Sequence, residues 1–289
     1  MANPSPIKTY SAEVIEKAPQ RTAPVLHTFR LVLGRFTVER WITLAVFGLM
    51  FAGWQFVSTS GMVSEVVLPT PAAAWSGFWD LVDNGYHGWT LAGHARLSLQ
   101  RVSLGFLTGS FVGTMLGLAM GYDRRIKDFF DPLIEFFRQL PQLAYLVLLI
   151  VWFGIGDRAQ ITLLFLTALP VASVAAMDGV RSTSIQRLQA ARSLGANGWQ
   201  VFRYVVLPST LPEIFTGARL AIGVVYATVI AAEMIGGSAG LGWMILNAGE
   251  LLRPDYVVVG IIILGILGLL LDRLIVGIER RVVHWAGRT

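Results

Sequence analysis

VVVGIIILGILGLLL, residues 257–271, is apolar on every side. A strand with one wet face alternates with period two, and a soluble amphipathic helix keeps a polar stripe; this stretch does neither. It reads as a helix solvated by lipid, where each backbone group must be satisfied within its own segment. The rest of the chain agrees. Of its 289 residues 54% are hydrophobic and only 14% charged, with a mean hydropathy of +0.61, whereas a soluble domain carries about 25% charged residues. Runs of spanning length recur near 41–57, 102–121, 132–153, 161–180, 211–235 and 256–278. These predict an all-α membrane protein with six transmembrane helices in one bundle.

The remaining segments divide accordingly. Residues 1–40 are polar and lack a short apolar core followed by a small-residue cleavage site, so they read as a retained N-terminal tail. Residues 58–89 form a linker in which VLPTPAAAW is a bend and AWSGFWDLV a short interfacial helix, with HARLSLQRV as a second such helix beyond it. Residues 90–280 form the core and 281–289 a C-terminal tail. Lysine and arginine set the orientation, since cytoplasmic segments carry the excess. Lys8, Lys17, Arg21, Arg30, Arg35 and Arg40 lie in the tail, Arg124, Arg125 and Lys127 in the second connection, Arg181, Arg187, Arg192 and Arg203 in the fourth, and Arg280, Arg281 and Arg288 at the C-terminus. The alternate connections hold only Arg96, Arg101, Arg158 and Arg253. Both termini and the segment near 184–208 are therefore expected in the cytoplasm, and residues 58–89 in the periplasm. Basic residues sorted among loops mark topology, not a nucleic-acid face, so no nucleic-acid partner is expected.

Gly105, Gly109, Gly113, Gly117 and Gly121 recur at every fourth position. Small residues on one face let two helices approach until backbone contact replaces the hydrophobic drive that lipid removes. Four residues advance a helix by about 400°, so the row winds slowly and favours a crossed neighbour. A lining for a narrow pathway is the other reading of the row.

Catalytic signals do not assemble. The chain has no cysteine, its three lysines fit no phosphate-cradling Gly-x-x-x-x-Gly-Lys loop, and His27, His87, His94 and His284 form no zinc helix. Neither a metal site nor an ATP site is expected here. Charged and aromatic residues at membrane depth are the candidate pathway groups. Arg138 and Gln139 lie in EFFRQLPQLAY, Arg138 about 9 Å along a helix that Pro141 should kink. Arg138 either offers a cation to an anionic solute or snorkels and pairs with Glu135. Glu233, in VIAAEMIGG, reads as an interface or a pathway residue; Tyr145 and Tyr226 either line a path or pack. Asp272 and Arg273 read as an interfacial anchor pair.

Residues 189–208, QAARSLGANGWQVFRYVVLP, interrupt the apolar chain with a helix, a Gly-Ala-Asn-Gly turn and a second helix closed by Pro208. A shallow face built from Leu188, Ala191, Arg192 and Gly195 suits docking into a groove of another protein, and packing on its own bundle fits as well. The spacing is more specific. Gln189, Ala190 and Ala191, then Gly195, then Val205, Leu207 and Pro208 stand at the separations of the Glu-Ala-Ala loop of bacterial ABC importer permeases, which this chain resembles. It carries Gln189 where that motif has glutamate and Val205 where isoleucine is usual, which bears on any charge-dependent contact at position 189 but not on the docking role.

The stretches DPLIEFFRQLPQLAYLVLLIVWFGIGD, AARSLGAN, LPEIFTGARLAIGV, AAEMIGGSAGLGWMI and AGELLRPDYVVVGI look like the permease subgroup for taurine and other sulfonates, nitrate, nitrite, cyanate and bicarbonate, with the taurine permeases most similar. The resemblance implies a type I importer bundle in the bacterial inner membrane, paired as a homodimer within the lipid. It further implies two ATP-binding subunits, which would hold ATP and Mg, and a periplasmic solute-binding protein. It makes Gln189, Ala190, Ala191, Leu194, Gly195, Val205, Leu207 and Pro208 the contact to the ATPase. The expected function is import of a small anionic or zwitterionic solute, taurine or another sulfonate, without catalysis on this chain. A nitrate, nitrite, cyanate or bicarbonate importer is the alternative within the family. A stand-alone carrier is the rival outside it, although paired broken repeats are not evident.

Overall fold

The computed structural model describes residues 25–285, with side chains described from residue 41. Residues 1–24 and 286–289, which hold Lys8, Lys17, Arg21 and Arg288 of the orientation argument, lie outside the described residues. Two compact units divide the chain, one ending at Phe56 and the other starting at Val57. The first contains most of α1 (Val25–Thr59), which begins within the stretch expected to be a tail; its part Trp41–Thr59 is apolar and long enough to cross a bilayer.

The second unit is helical throughout its regular structure. Helix α2 (Pro71–Asp83) is capped by Thr70, whose side chain accepts from the Ala73 N–H, with Pro71 in the first turn where no donor is missed. A tight turn closed by Tyr86 and Trp89 leads to α3 (Leu91–Tyr122), capped by Thr90. HARLSLQRV is therefore not a separate interfacial helix; it forms the first turns of a 32-residue span. Its polar residues His94, Ser98 and Arg101 turn inward, so hydropathy alone placed the start of the span too late.

Helices α4 (Arg124–Gln139) and α5 (Gln142–Phe153) meet at a bend of 99°. One kinked helix was expected here. Leu140 is extended, as a residue before proline prefers, and Pro141 has no N–H to continue the ladder. The long helix α6 (Asp157–Arg181) follows, then α7 (Ile185–Ser193) and the short α8 (Gly198–Val201). A π-helical turn (Phe202–Val206) joins α8 to α9 (Leu207–Gly236). Pro208 was expected to close the segment, yet helix continues through it. The Leu207 N–H reaches back five residues to the Phe202 carbonyl, and this wider turn accommodates the proline ring and its missing donor. After α10 (Leu241–Glu250), absent from the sequence reading, α11 (Pro254–Val282) carries the opening stretch. With the bent pair counted once, six candidate spans exist among the described residues.

The bundle centres on α3 and α6. A Cβ placed on any of the five glycines would collide with α6: Gly105 with Leu164, Gly109 with the Phe165 carbonyl and Ala168, Gly113 with the Leu169 carbonyl, Gly117 with the Ser173 carbonyl, and Gly121 with Val180. The neighbour does not simply cross the row at one point. Helix α6 presents its own row at the same step, Leu164, Ala168, Ala172, Ala176 and Val180, so close approach persists over every turn and the two helices run in the same direction. Helix α9 returns in the opposite sense, with Gly217 against Ala175 and Thr210 against Gly179. Between α9 and α11, Tyr226 faces Gly268 and Arg219 pairs with Asp272 at 3.2 Å. Asp272 thus bonds to α9 and not to its chain neighbour Arg273.

This packing predicts opposite effects for two Gly→Ala changes. At Gly113 the new methyl would strike the Leu169 carbonyl and stand 3.1 Å from the Ala172 Cβ, whereas at Gly265 it would meet nothing within 4 Å. Gly113→Ala should destabilise by about 1–3 kcal/mol through overpacking, and Gly265→Ala should be neutral or stabilising by up to about 1 kcal/mol through helix propensity. Unfolding midpoints of the detergent-solubilised protein check this; the reverse order would contradict close contact between α3 and α6.

Candidate functional site

Three places bring chemistry-bearing residues together. The first is the segment 184–208. Helix α7 starts on Ser184, whose hydroxyl accepts from the Arg187 N–H at 3.4 Å. It ends in a Schellman motif, with the Gly195 N–H bonded to the Arg192 carbonyl at 2.9 Å and the Ala196 N–H to the Ala191 carbonyl at 3.1 Å. Gly195 has φ of +83°, a conformation costly for a residue with a Cβ. Asn197 and Gln200 then form a capping box that starts α8 at once.

The two halves of this segment differ in burial. Helix α7 has no buried residue, and Leu194 is 88% exposed. Beyond the turn, Val201 and Val206 are buried, and Phe202 sits 5.8 Å from both Tyr122 and Trp199. One half is therefore anchored on the end of α3, while the other is exposed and bonded back to α9 through Arg187, which donates to Ser209 Oγ at 3.2 Å. Gln189, Ala190, Ala191, Leu194 and Gly195 lie in or just after the exposed helix; Val205, Leu207 and Pro208 lie in the anchored continuation toward α9.

The second place is a cavity of about 460 Å³ among α4, α5, α6 and α9. Arg138, Gln142 and Tyr145 line it at the bend, Thr167 and Asp178 along α6, and Glu213 on α9. Pro170 keeps a break in the α6 ladder beside it. Of the sequence-proposed pathway residues, Arg138 and Tyr145 reach this cavity. Arg138 also stands 3.5 Å from Glu135, but both are well exposed and such a pair contributes only about 0–1 kcal/mol. Gln139 donates to Glu135 at 2.9 Å, and Tyr226 donates to the Leu264 carbonyl at 2.6 Å; neither lines the cavity.

Glu233 lies elsewhere again, at the opposite end of the bundle from α7. It is 0% exposed and accepts from Ser98 Oγ at 2.8 Å, Arg101 Nη1 at 2.7 Å and the Gly242 N–H at 2.9 Å. Arg101 also donates to the Ala239 carbonyl at 2.8 Å and binds Asp157 through Nε and Nη2, at 2.9 and 2.7 Å. The Gly240 N–H donates to His94 Nδ1 at 3.1 Å, so the His94 proton sits on Nε2, facing the Tyr86 carbonyl at 3.2 Å. A side chain on Gly240 would overlap the Glu233 carboxylate.

Sequence reasoning used Arg101 as a topological marker and passed over Ser98, Asp157 and Gly240. Its one available signal was spacing, since Arg101 continues upstream the four-residue step of the glycine row, and Ser98 and His94 stand three and seven residues before it, on the same helix face.

Nearby, α2 is clasped to the first turn of α11. Arg253 lies 3.8 Å above the Tyr256 ring and 2.9 Å from Asp255, and Tyr256 donates to Asp80. That hydrogen bond, followed by one from Asn84, holds the Asp80 carboxyl below the usual carboxylate range.

A multi-span bundle with an open, largely apolar cavity that carries a few charged groups, an exposed capped helix between two spans and no phosphate-binding loop has the form of a membrane permease component. The family model described as the binding-protein-dependent transport system inner membrane component matches residues 109–284. The chain is 36% identical over 265 residues to the taurine transport system permease protein TauC of Escherichia coli (strain K12), covering 91% of this chain and 96% of that protein. It is 34% identical to the putative aliphatic sulfonates transport permease protein SsuC of Bacillus subtilis (strain 168), covering 82% and 84%. Identity to the bicarbonate transport system permease protein CmpB of Synechococcus elongatus (strain ATCC 33912 / PCC 7942 / FACHB-805) is 31%, covering 80% and 85%. A solved structure of the MetNI methionine ABC transporter in inward-facing conformations shares the fold, with a TM-score of 0.57 at 21% identity, covering 64% of this chain and 92% of that one. The chain belongs to the family of binding-protein-dependent transport system inner-membrane components, as an ABC permease subunit.

Proposed function

We propose that two copies of this chain form the pathway of an ATP-driven importer for taurine or a related sulfonate. A binding protein would deliver the solute at the end that carries Glu233, on the periplasmic side. Two ATP-binding subunits, with ATP and Mg, would dock on residues 184–208 at the cytoplasmic end, where both termini would also lie. The observation that carries the reading is the exposed, capped helix α7: it has no buried residue, is bonded to α9 through Arg187 and Ser209, and leads through α8 and the π-turn into α9. Movement of α7 would thus be passed to a wall of the cavity. Nucleotide shifts the bundle only as far as the docked ATPase prefers one of its arrangements. The relatives' names support the solute class, and the cavity that Arg138 lines supports a pathway for a solute with an anionic group.

The test is reconstitution in liposomes with the partner ATP-binding subunits and binding protein. Taurine uptake is expected to require ATP and all three components, and the chain alone should give none. Uptake by the chain alone would make it a secondary carrier, and uptake of bicarbonate without any sulfonate would replace the solute assignment.

A further inference from the structure

We propose that α4 lies within the leaflet at the α7 end of the bundle without crossing the bilayer, and that its outward stripe of Phe129, Leu133 and Phe136 is a surface for phospholipid. This goes beyond the importer reading and does not depend on which solute is carried.

Helix α4 starts at Arg124, directly after the end of α3, and its last turn lines the cavity beside Pro170 and Val174 of α6. The glycine contacts set the level of those two residues, since Gly113 meets Leu169 and Gly117 meets Ser173. From Gly113 or Gly117 to Tyr122 is only roughly 8–14 Å of helix. The 16 residues of α4, roughly 24 Å long, therefore descend through no more than about half of a hydrocarbon core about 30 Å thick. A slanted helix inside one leaflet follows, and its 99° angle to α5 agrees.

Three faces divide α4 at about 100° per residue. Ile126, Phe130 and Ile134 pack with Met120 and Met177. A second face carries ion pairs, Lys127 with Asp131 at 3.2 Å and Arg138 with Glu135 at 3.5 Å. Phe129, Leu133 and Phe136 form the third, within about 60° of one another. They are 73, 48 and 60% exposed. Arg138, on the cavity side, lies about 180° round the helix from Phe129, so a second copy closing the cavity would approach from the side opposite the stripe. The stripe is thus apolar, uncovered by the bundle and held at the depth of acyl chains. Exposed Arg125 borders it at the end of the helix and has no ion-pair partner among the described residues, leaving its guanidinium for headgroup phosphates. The ion-paired face remains on the aqueous side, as in other helices that lie in a membrane interface.

The chain has no cysteine, so Arg125→Cys, Phe129→Cys, Leu133→Cys and Phe136→Cys can each carry a single spin label without further change. The full-length permease with its ATP-binding subunits is placed in phosphatidylcholine/phosphatidylglycerol nanodiscs. Collision of each label with oxygen, which concentrates among acyl chains, is compared with collision with a water-soluble nickel chelate. Asp83→Cys is the aqueous reference and Asp131→Cys reports the ion-paired face. The label at 125 is expected at the phosphates, and those at 129, 133 and 136 about 5–10 Å below them, protected from nickel and deepest at 136. Asp131→Cys should stay as open to nickel as Asp83→Cys. All four labels of the first set replace exposed side chains, and the three on the stripe probe one surface independently, so loss of a single variant leaves the others to decide. Nickel access at the stripe equal to that at Asp83→Cys would overturn the proposal. Exclusion of both reagents would also overturn it, by showing a protein cover, and dipolar broadening would then identify that cover as a second copy. A depth that passes the bilayer centre between positions 125 and 136 would make α4 a crossing helix and overturn it as well. Nickel protection at 131 equal to that at 129 would remove the division into a lipid face and an aqueous face.

Discussion

Gly195→Val is expected to lower solute-stimulated ATP hydrolysis by the assembled importer about tenfold or more while leaving the unfolding midpoint of the permease unchanged. The two halves of this expectation come from different features of one position. Gly195 has φ of +83°, and a Cβ there would meet nothing within 4 Å. The substitution therefore costs no packing. It opposes the left-handed turn by about 1–2 kcal/mol, enough to favour loss of the cap that ends α7. Because α7 buries no residue, the bundle does not register the loss. A docked ATPase would, since the helix presented to it would lose its end and direction. Gly195→Asn is the discriminating control. Asparagine tolerates the left-handed region, so the turn survives and activity should stay within about threefold of wild type. Equal activity of the valine and asparagine variants with wild type would remove the coupling role from this segment. Equal loss in both would assign the effect to bulk at the interface and not to the turn.

Residues 257–271 announced a lipid-solvated helix because no face of that stretch could be left in water, and α11 covers them. The same argument found the body of α6 and α9. It failed where a polar residue is buried. Hydropathy began the second span at residue 102, yet α3 begins at Leu91, because His94, Ser98 and Arg101 are satisfied by partners 56 to 146 residues away in sequence, or by the Tyr86 carbonyl. No local pattern carries such pairing. Proline was the other source of error, in both directions. Pro141 was expected to kink a helix and instead stands at a 99° break, whereas Pro208 was expected to stop one and is absorbed by a π-turn. A missing N–H is legible in sequence; whether the chain answers by turning or by widening depends on what packs around it. The segment 184–208 was legible by spacing, but its division into an exposed and an anchored half rests on Tyr122 at the end of α3, far upstream.

Arg101→Met is expected to be the most destabilising single change among those considered, by about 3–5 kcal/mol, because it leaves a buried charge without its partner. Glu233 would keep only Ser98 and the Gly242 N–H, and the Ala239 carbonyl would lose its donor. Glu233→Gln should cost less, about 1–3 kcal/mol. It preserves the shape and most hydrogen-bonding capacity, and Arg101 retains Asp157, which is 57% exposed and so still reaches water. The clasp at the same end of the bundle supplies the contrast. Arg253 and Asp80 stand 3.5 Å apart with side chains 44% and 41% exposed, and that ion pair contributes no more than about 1 kcal/mol. Arg253→Met should therefore shift stability little beyond the lost stacking on Tyr256. Denaturant or thermal unfolding of the purified permease should rank the variants Arg101→Met, Glu233→Gln, Arg253→Met from largest to smallest loss. Burial decides that order, not the number of ion pairs drawn. A larger loss for Arg253→Met than for Arg101→Met would mean that the ends of α3, α6 and α9 are held from the surface, and the interior network would lose its role as the tie between them.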